Sequence, residues 1–319
     1  MRLKKIYCPK KNKAAIVTKS LTSKEQAKNI LVCQLESIST LQTAGGITSL
    51  LSVRTNKDEL CTLENHKEDI LQTQVGSLLF VEYTRVETDG EENRLSISHF
   101  QTIPAFYGLS YLNQLFNEAA EVSDLIRLLQ FIDRLHDLRI KQLLIDLFQD
   151  PKVALPFITM PASHKHHHSY AGGLLAHSIE CAEWLESTAY SALETCEAEL
   201  TLVTALLHDL GKIETMATHN SRQLVPHETL SLLLVEPSIL KMEKKWQQGA
   251  DTLRAMLSFS ISSEKFPNFP GCLLVKMADQ FSTSISARKI AFEDVPDYFY
   301  FSKLQTSTST QFFNRLTVH

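Results

Sequence analysis

Residues 203–212 read Val-Thr-Ala-Leu-Leu-His-Asp-Leu-Gly-Lys, an apolar helical surface that ends on a polar pair. Val203, Leu206, Leu207 and Leu210 recur at three- and four-residue spacing, the stripe of a helix buried along one face. His208 and Asp209 sit beside that stripe near the helix end, and Gly211 offers a left-handed residue to stop it. A His-Asp pair among leucines is costly without a partner, because buried charge demands compensation. Two partners are open at this point. One is a hydrogen bond within the pair; the other is a metal ion, since neutral imidazole and carboxylate suit Mn²⁺, Fe²⁺ or Zn²⁺.

Outward from this segment, two further helices carry polar groups on apolar faces. His177 lies among Leu174, Leu175, Ile179 and Ala182, and Asp279 follows Leu273, Leu274, Val275, Met277 and Ala278. Helix bundles build metal sites from side chains on facing helices, so a packed bundle would turn all three groups inward. Pro226-His227-Glu228 adds another imidazole. His166-His167-His168 precedes Gly172-Gly173, which reads as a helix start or a close packing point rather than a phosphate cradle. The triplet is either a polar loop or a contact for substrate phosphate or a loosely held metal, with His167 and His168 the stronger candidates. His164 and His219 read as surface residues, Glu180 and Glu214 as solvated, and Trp184 and Trp246 as core or interface aromatics.

The helical pattern reaches back to Tyr107, through Leu125, Leu128, Leu129, Ile132 and Leu135, then Ile140, Leu143, Leu144 and Leu147, until Asp150-Pro151 breaks it. The first hundred residues are different. Ile30–Ser37, Ile47–Arg54, Glu59–Leu63, Ser77–Val86 and Arg94–Thr102 read as short strands separated by polar turns. Five such strands without a long helix predict a small barrel of the OB type. The fold expected is α+β in two domains, an OB-like β-barrel over 1–104 and an all-α bundle over 151–319, joined by a helical connector over 105–150.

With 319 residues, 44% hydrophobic and 21% charged, the chain can bury a sizeable core. Its net charge of −4 and pI near 6.3 exclude a general polycation, so nucleic acid would need a local basic patch. One such patch precedes the first strand: Arg2, Lys4, Lys5, Lys10, Lys11, Lys13, Lys19, Lys24 and Lys28 against Glu25 alone. It reads either as a solvated arm or as a nucleic-acid contact. Cys8, Cys33, Cys61, Cys181, Cys196 and Cys272 show no paired spacing, which fits free thiols in a cytoplasmic protein. Met1-Arg-Leu-Lys-Lys has no apolar run after it and is not read as a secretory signal, and no stretch looks able to span a bilayer.

The set His177, His208-Asp209 and Asp279 resembles the ligand order of the HD phosphohydrolase superfamily. The strings PASHKHHHSYAGGLLAHSIE (161–180) and ALLHDLGKIETM (205–216) are similar to the HD domain of YhaM-type 3′→5′ exoribonucleases and to the TraI_2-type HD domain of conjugative relaxases. VPHETLSLLL (225–234) and KMADQFSTS (276–284) look closer to the TraI_2 branch. The barrel followed by IKQLLIDLFQDPKVALPFITMPAS (140–163) looks closer to the exoribonuclease layout. The resemblance implies that His177, His208, Asp209 and Asp279 hold a divalent metal, with Asp209 bridging to a second and His227 an additional ligand. Mn²⁺ is the expected ion, with Fe²⁺, Mg²⁺, Ni²⁺ and Zn²⁺ as alternatives. Lys212 would face the substrate phosphate, and His167 and His168 would line the entrance. One departure stands out: the exoribonuclease pattern has Ser-His-His before the last aspartate, where this chain has Leu257-Ser258-Phe259-Ser260.

Three functions remain open on this reading. The first is a metal-dependent nuclease on single-stranded RNA or DNA, a 3′→5′ exonuclease by resemblance, with Tyr7, Phe80, Tyr83 and Phe100 as stacking candidates in the barrel and a homo-oligomeric assembly. The second is a nucleotide phosphohydrolase. The third is a non-catalytic TraI_2-like module linked to conjugation or mobile elements.

Overall fold

The computed structural model describes residues 29–43, 46–66, 68–86, 94–163, 168–216, 224–259, 266–305 and 309–316. The basic stretch before Asn29, Tyr7, Cys8, His164, His166, His167 and His219 lie outside the described residues.

Five strands close into a barrel: β1 (Asn29–Thr43), β2 (Gly46–Arg54), β3 (Leu60–Asn65), β4 (Leu78–Val86) and β5 (Arg94–Ile103). Their order around the barrel is β1-β2-β3-β5-β4, with β3 and β5 parallel and the remaining neighbours antiparallel. A single 3-10 turn (Glu68–Gln72) links β3 to β4. This is the OB-like arrangement expected from the strand spacing. Alternate residues point inward, as strand geometry requires: Cys33 and Leu35, Leu51 and Val53, and Leu79 and Val81 are buried with Leu63, Ile70 and Ile97. β1 runs well past the expected end at Ser37. A bulge between Leu35 and Ser37 bends it, and the polar, largely exposed stretch beyond pairs with Gly46–Ser52, of which Thr48, Ser49 and Leu51 are buried. Because little of that extension is buried, no apolar alternation marked it in the sequence.

Helices follow: α1 (Leu109–Glu118), α2 (Val122–Arg134), α3 (Leu138–Phe148), α4 (Pro151–Thr159), α5 (Gly173–Ala192), α6 (Thr195–Leu207), α7 (Lys212–Thr215), α8 (His227–Glu243), α9 (Gln247–Leu257) and α10 (Gly271–Phe292). Helices α1 to α3, read from the sequence as a connector, share one apolar cluster with the later helices and with Val32, Leu78, Phe80 and Ile103 of the barrel. Phe80 stacks on Phe116 at 5.1 Å, and the Asn113 amide donates to the Val32 carbonyl at 2.9 Å. Phe80 is therefore core and not a surface for bases. The chain after Asp294 departs from the all-helical expectation. Strands β6 (Phe301–Gln305) and β7 (Thr310–Asn314) form a hairpin, and the Ser302 hydroxyl donates to Ala291 near the end of α10. Among the described residues no helix is long and apolar enough to cross a membrane.

Asp137 caps α3, accepting the backbone N–H groups of Arg139 and Ile140 while pairing with the Arg139 guanidinium. The guanidinium, followed by those N–H groups, overrides burial and holds the carboxyl down to about 2, below its ordinary 3.8. A depressed folded value means stabilisation present above pH 4 and lost as pH falls toward 2. Asp137→Ala is expected to cost about 1–2 kcal/mol at neutral pH. Urea melts at pH 7 and pH 2.5 check this: the gap between the two chains should narrow at the lower pH.

Candidate metal centre

Three helix ends and one helix middle build the site. At the start of α5, Gly172 has φ +78° and Gly173 lies where a Cβ would fall 2.1 Å from the His168 carbonyl oxygen. The segment before α5 is thus pressed onto the helix start, bringing His168 over the first turns. His177 follows on the buried face of α5 and is fully buried.

α6 ends at Leu207, so His208 and Asp209 occupy the turn that leaves it. Gly211 is not left-handed as the sequence suggested; its φ is −60°. The glycine is needed for proximity instead. A Cβ there would sit 2.0 Å from the His227 carbonyl oxygen and 2.6 Å from the Ser231 nitrogen. The Ser231 hydroxyl accepts from the Gly211 N–H at 2.7 Å and reaches the carbonyls of His208 and His227. The first turn of α8 is thereby clamped to the His-Asp turn, which sets His227 beside Asp209.

The side chains converge. His177 Nε2 lies 3.4 Å from Asp209 Oδ2 and 3.6 Å from Asp279 Oδ1. His208 Nε2 lies 3.5 Å from Asp209 Oδ2 and 3.9 Å from Asp279 Oδ1. These gaps are long for hydrogen bonds. They are close to the separation of about 3–4 Å between two ligands of one cation with bonds near 2.0–2.2 Å. The other oxygen of Asp209 faces His227 Nε2 at 3.1 Å, so the carboxylate looks two ways. Lys212 Nζ stands on Asp209 Oδ2 at 2.5 Å.

Hydrogen bonding fixes how the two buried rings present themselves. His208 Nδ1 is 2.7 Å from the Ala205 carbonyl, which can only accept, so Nδ1 carries the proton. Its Nε2 is buried without a hydrogen-bond partner and faces two carboxylates. A lone pair aimed at carboxylate oxygens is repulsive, so the arrangement calls for positive charge there, as a proton on Nε2 or a bound cation. His177 Nδ1 lies 3.0 Å from the Ser282 hydroxyl, which likewise turns Nε2 toward the carboxylates. An imidazole whose second nitrogen is anchored to an acceptor is the usual state of a metal-bound histidine. Two imidazoles and two carboxylates, with His177 and Asp209 buried and His208 and Asp279 partly exposed, therefore fit a divalent cation.

Electrostatics point the same way. Burial alone would raise Asp209, but the imidazoles of His208, His177 and His227 and the Lys212 ammonium hold it well below the carboxylate range. Burial would lower His177, yet Asp209 and Asp279 pull it up to about 11. Asp209 raises His227 against its burial, and His177 and His208 lower Asp279 against its own. The centre is a negative well that gathers positive charge. His177 and Asp209 form its floor, while Asp279 and His227 are 24% and 36% exposed and form its open side.

Of the sequence candidates, His177, His208, Asp209, Lys212, His227 and Asp279 are brought together. His168 lies next to them but not among them, and His167 falls outside the described residues. Glu180, expected to be solvated, instead accepts from Ser282 at 3.0 Å and lies 3.3 Å from His168 Nε2. Ser282 itself was missed, although Asp279 and Ser282 at three-residue spacing share one face of α10, as His177 and Glu180 do on α5. Trp184 meets Phe281 edge-on at 5.0 Å, and Trp246 lies under the Arg139 guanidinium at 3.9 Å. Ser258 closes α9 by donating to Ala255 at 3.2 Å. Tyr83 and Phe100 are half-buried against the barrel core.

No curated protein and no solved structure matches the chain. The model of one family, TraI_2, whose description reads "Putative helicase", matches residues 148–223. The chain thus carries a TraI_2-type region that includes His177 and the His208-Asp209 turn and stops short of His227 and Asp279.

Proposed function

We propose that this protein is a metal-dependent phosphodiesterase acting on single-stranded nucleic acid from the 3′ end, an HD-type hydrolase like the YhaM-type exoribonucleases it resembles. The observation that carries the reading is the convergence of His177, His208 and Asp279, with Asp209 Oδ2 3.4 and 3.5 Å from the two imidazoles and His208 Nε2 buried without a hydrogen-bond partner. A TraI_2-type region and an OB-like barrel in one chain fit a nucleic-acid setting. His177, His208, Asp209 and Asp279 would hold a divalent ion, Mn²⁺ by expectation, and Asp209 could share a second with His227. Such an ion supplies Lewis-acid polarisation of a phosphoryl oxygen and a lowered pKa for water. Lys212 holds its ammonium on Asp209 and is placed to move to a phosphate oxygen at the open side. The buried floor keeps His177 and Asp209 away from bulk water, which strengthens each of these contacts.

The test is a metal count per chain, followed by incubation with labelled single-stranded RNA, single-stranded DNA and a nucleotide panel in Mn²⁺. Stepwise shortening of a strand is the expected result. Phosphate release from nucleotides alone would replace the nuclease with a nucleotide phosphohydrolase. Metal-free protein that binds strands without cutting would leave a non-catalytic module.

A further inference from the structure

We infer that Glu180, Ser282 and His168 form a hydrogen-bonded relay that fixes the ring of His177 and sets how tightly the centre holds its cation. The inference rests on the cation reading above. A carboxylate can only accept, so the Ser282 hydroxyl donates to Glu180 Oε2 at 3.0 Å. With its proton spent there, the Ser282 oxygen accepts from His177 Nδ1 at 3.0 Å. The direction of the chain is therefore forced: Glu180 orients Ser282, Ser282 orients His177, and His177 Nε2 is left for the carboxylates.

His168 secures the outer end. Its Nε2 lies 3.3 Å from the same Glu180 oxygen, and its Nδ1 lies 2.9 Å from the Tyr170 hydroxyl. Its backbone has φ +48°, a left-handed conformation that costs a residue with a Cβ. Two features hold it there: its carbonyl accepts the Ala162 N–H at 2.9 Å, and Gly173 leaves room beneath it.

His168, His177 and Glu180 could also be read as a second cation site. The Ser282 hydroxyl among them favours the relay. The Ser282 oxygen stands 3.0 Å from both Glu180 and His177 and 3.5 Å from His168 Nε2, so one hydroxyl already joins all three groups by hydrogen bonding. Among the described residues, no such hydroxyl joins the imidazoles and carboxylates of the cation cluster, which stand 3.4–3.9 Å apart. His168 is on this account a positioning residue and does not touch substrate. Loss of such an outer partner typically weakens metal affinity about 10–100-fold.

The experiment titrates the full chain with Co²⁺, followed by visible absorption and calorimetry. Ser282→Ala and Glu180→Ala are expected to bind one Co²⁺ about 10–100-fold more weakly than the parent. Glu180→Gln keeps an acceptor for the Ser282 hydroxyl and should restore most of the affinity, which a merely structural role would not predict. In the Zn²⁺-loaded protein, ¹⁵N NMR should show a slowly exchanging proton on His177 Nδ1 that exchanges fast in Ser282→Ala. Parent affinity in Ser282→Ala and Glu180→Ala overturns the relay and leaves the centre standing. Two Co²⁺ per chain, one of them lost in His168→Ala, makes the cluster a ligand set and also overturns it. A parent chain that takes up no Co²⁺ overturns the relay and the cation reading together, and is told apart by that alone.

Discussion

Asp209→Ala is expected to bring cation uptake below detection and to slow strand cleavage by about 10³-fold or more, the several kcal/mol that Lewis-acid stabilisation contributes. Asp209 is the one group that faces both sides of the centre, toward His177 and His208 through Oδ2 and toward His227 through Oδ1. Removing it also leaves the Lys212 ammonium and the His227 ring without the carboxylate they lean on. Breaking a buried charge cluster on one side costs about 3–5 kcal/mol, so the metal-free variant should also melt earlier. The sign with pH follows from the direction of the shift. Asp209 is held well below 3.8 in the folded chain, so its contribution is complete at neutral pH and is lost only as strong acid protonates it. The measurements are Co²⁺ calorimetry, melting in EDTA at pH 7, and single-turnover cleavage. Cleavage by Asp209→Ala at the parent rate would sink the assignment of the centre. Asp279→Ala should lose the cation as well, but it leaves Asp209 with Lys212 and His227 and should melt closer to the parent.

The cluster was legible because its residues sit where an apolar helical period is interrupted by a polar group. His177 within α5, His208-Asp209 at the end of α6 and Asp279 within α10 each break such a stripe, and a bundle has one inside for them to share. The barrel was legible for a related reason, since period-two burial marks strands that face a core. What escaped was of two kinds. The hairpin extension of β1 and the strands β6 and β7 bury little, so no alternation announces them. Glu180 and Ser282 look like ordinary surface residues until α5 and α10 pack together. Their meaning comes from a distance across 102 residues of chain, which no local pattern encodes. Gly211 illustrates a third limit: the residue is required, but for the approach of α8 rather than for its own φ.

Glu199 is the structural counterpart to Asp209, and Glu199→Ala is expected to destabilise the fold by about 3–5 kcal/mol through its lost hydrogen bonds, without altering the His177–Asp209 cluster. Its side chain is fully buried on α6. One oxygen accepts the His136 N–H at 2.5 Å, the Tyr190 hydroxyl at 3.1 Å and faces His136 Nδ1 at 3.0 Å; the other accepts the Asp137 N–H at 2.9 Å. The carboxylate thus satisfies the backbone of the short turn between α2 and α3, which has no helix of its own to do so. Alanine leaves two backbone donors and a phenol without their acceptor, each at about 1–3 kcal/mol. Glutamine keeps the shape but turns an NH₂ toward donors, so it should fall between alanine and the parent. At about 2–4 °C per kcal/mol, the alanine variant should lose on the order of 10 °C of melting temperature. Its Co²⁺ affinity below that temperature should equal the parent's, because Glu199 bonds the His136–Asp137 turn and Tyr190 whereas His177 Nδ1 meets Ser282. Parent stability in Glu199→Ala would mean that the turn finds other acceptors; lost cation affinity would mean that the carboxylate reaches the centre through α6.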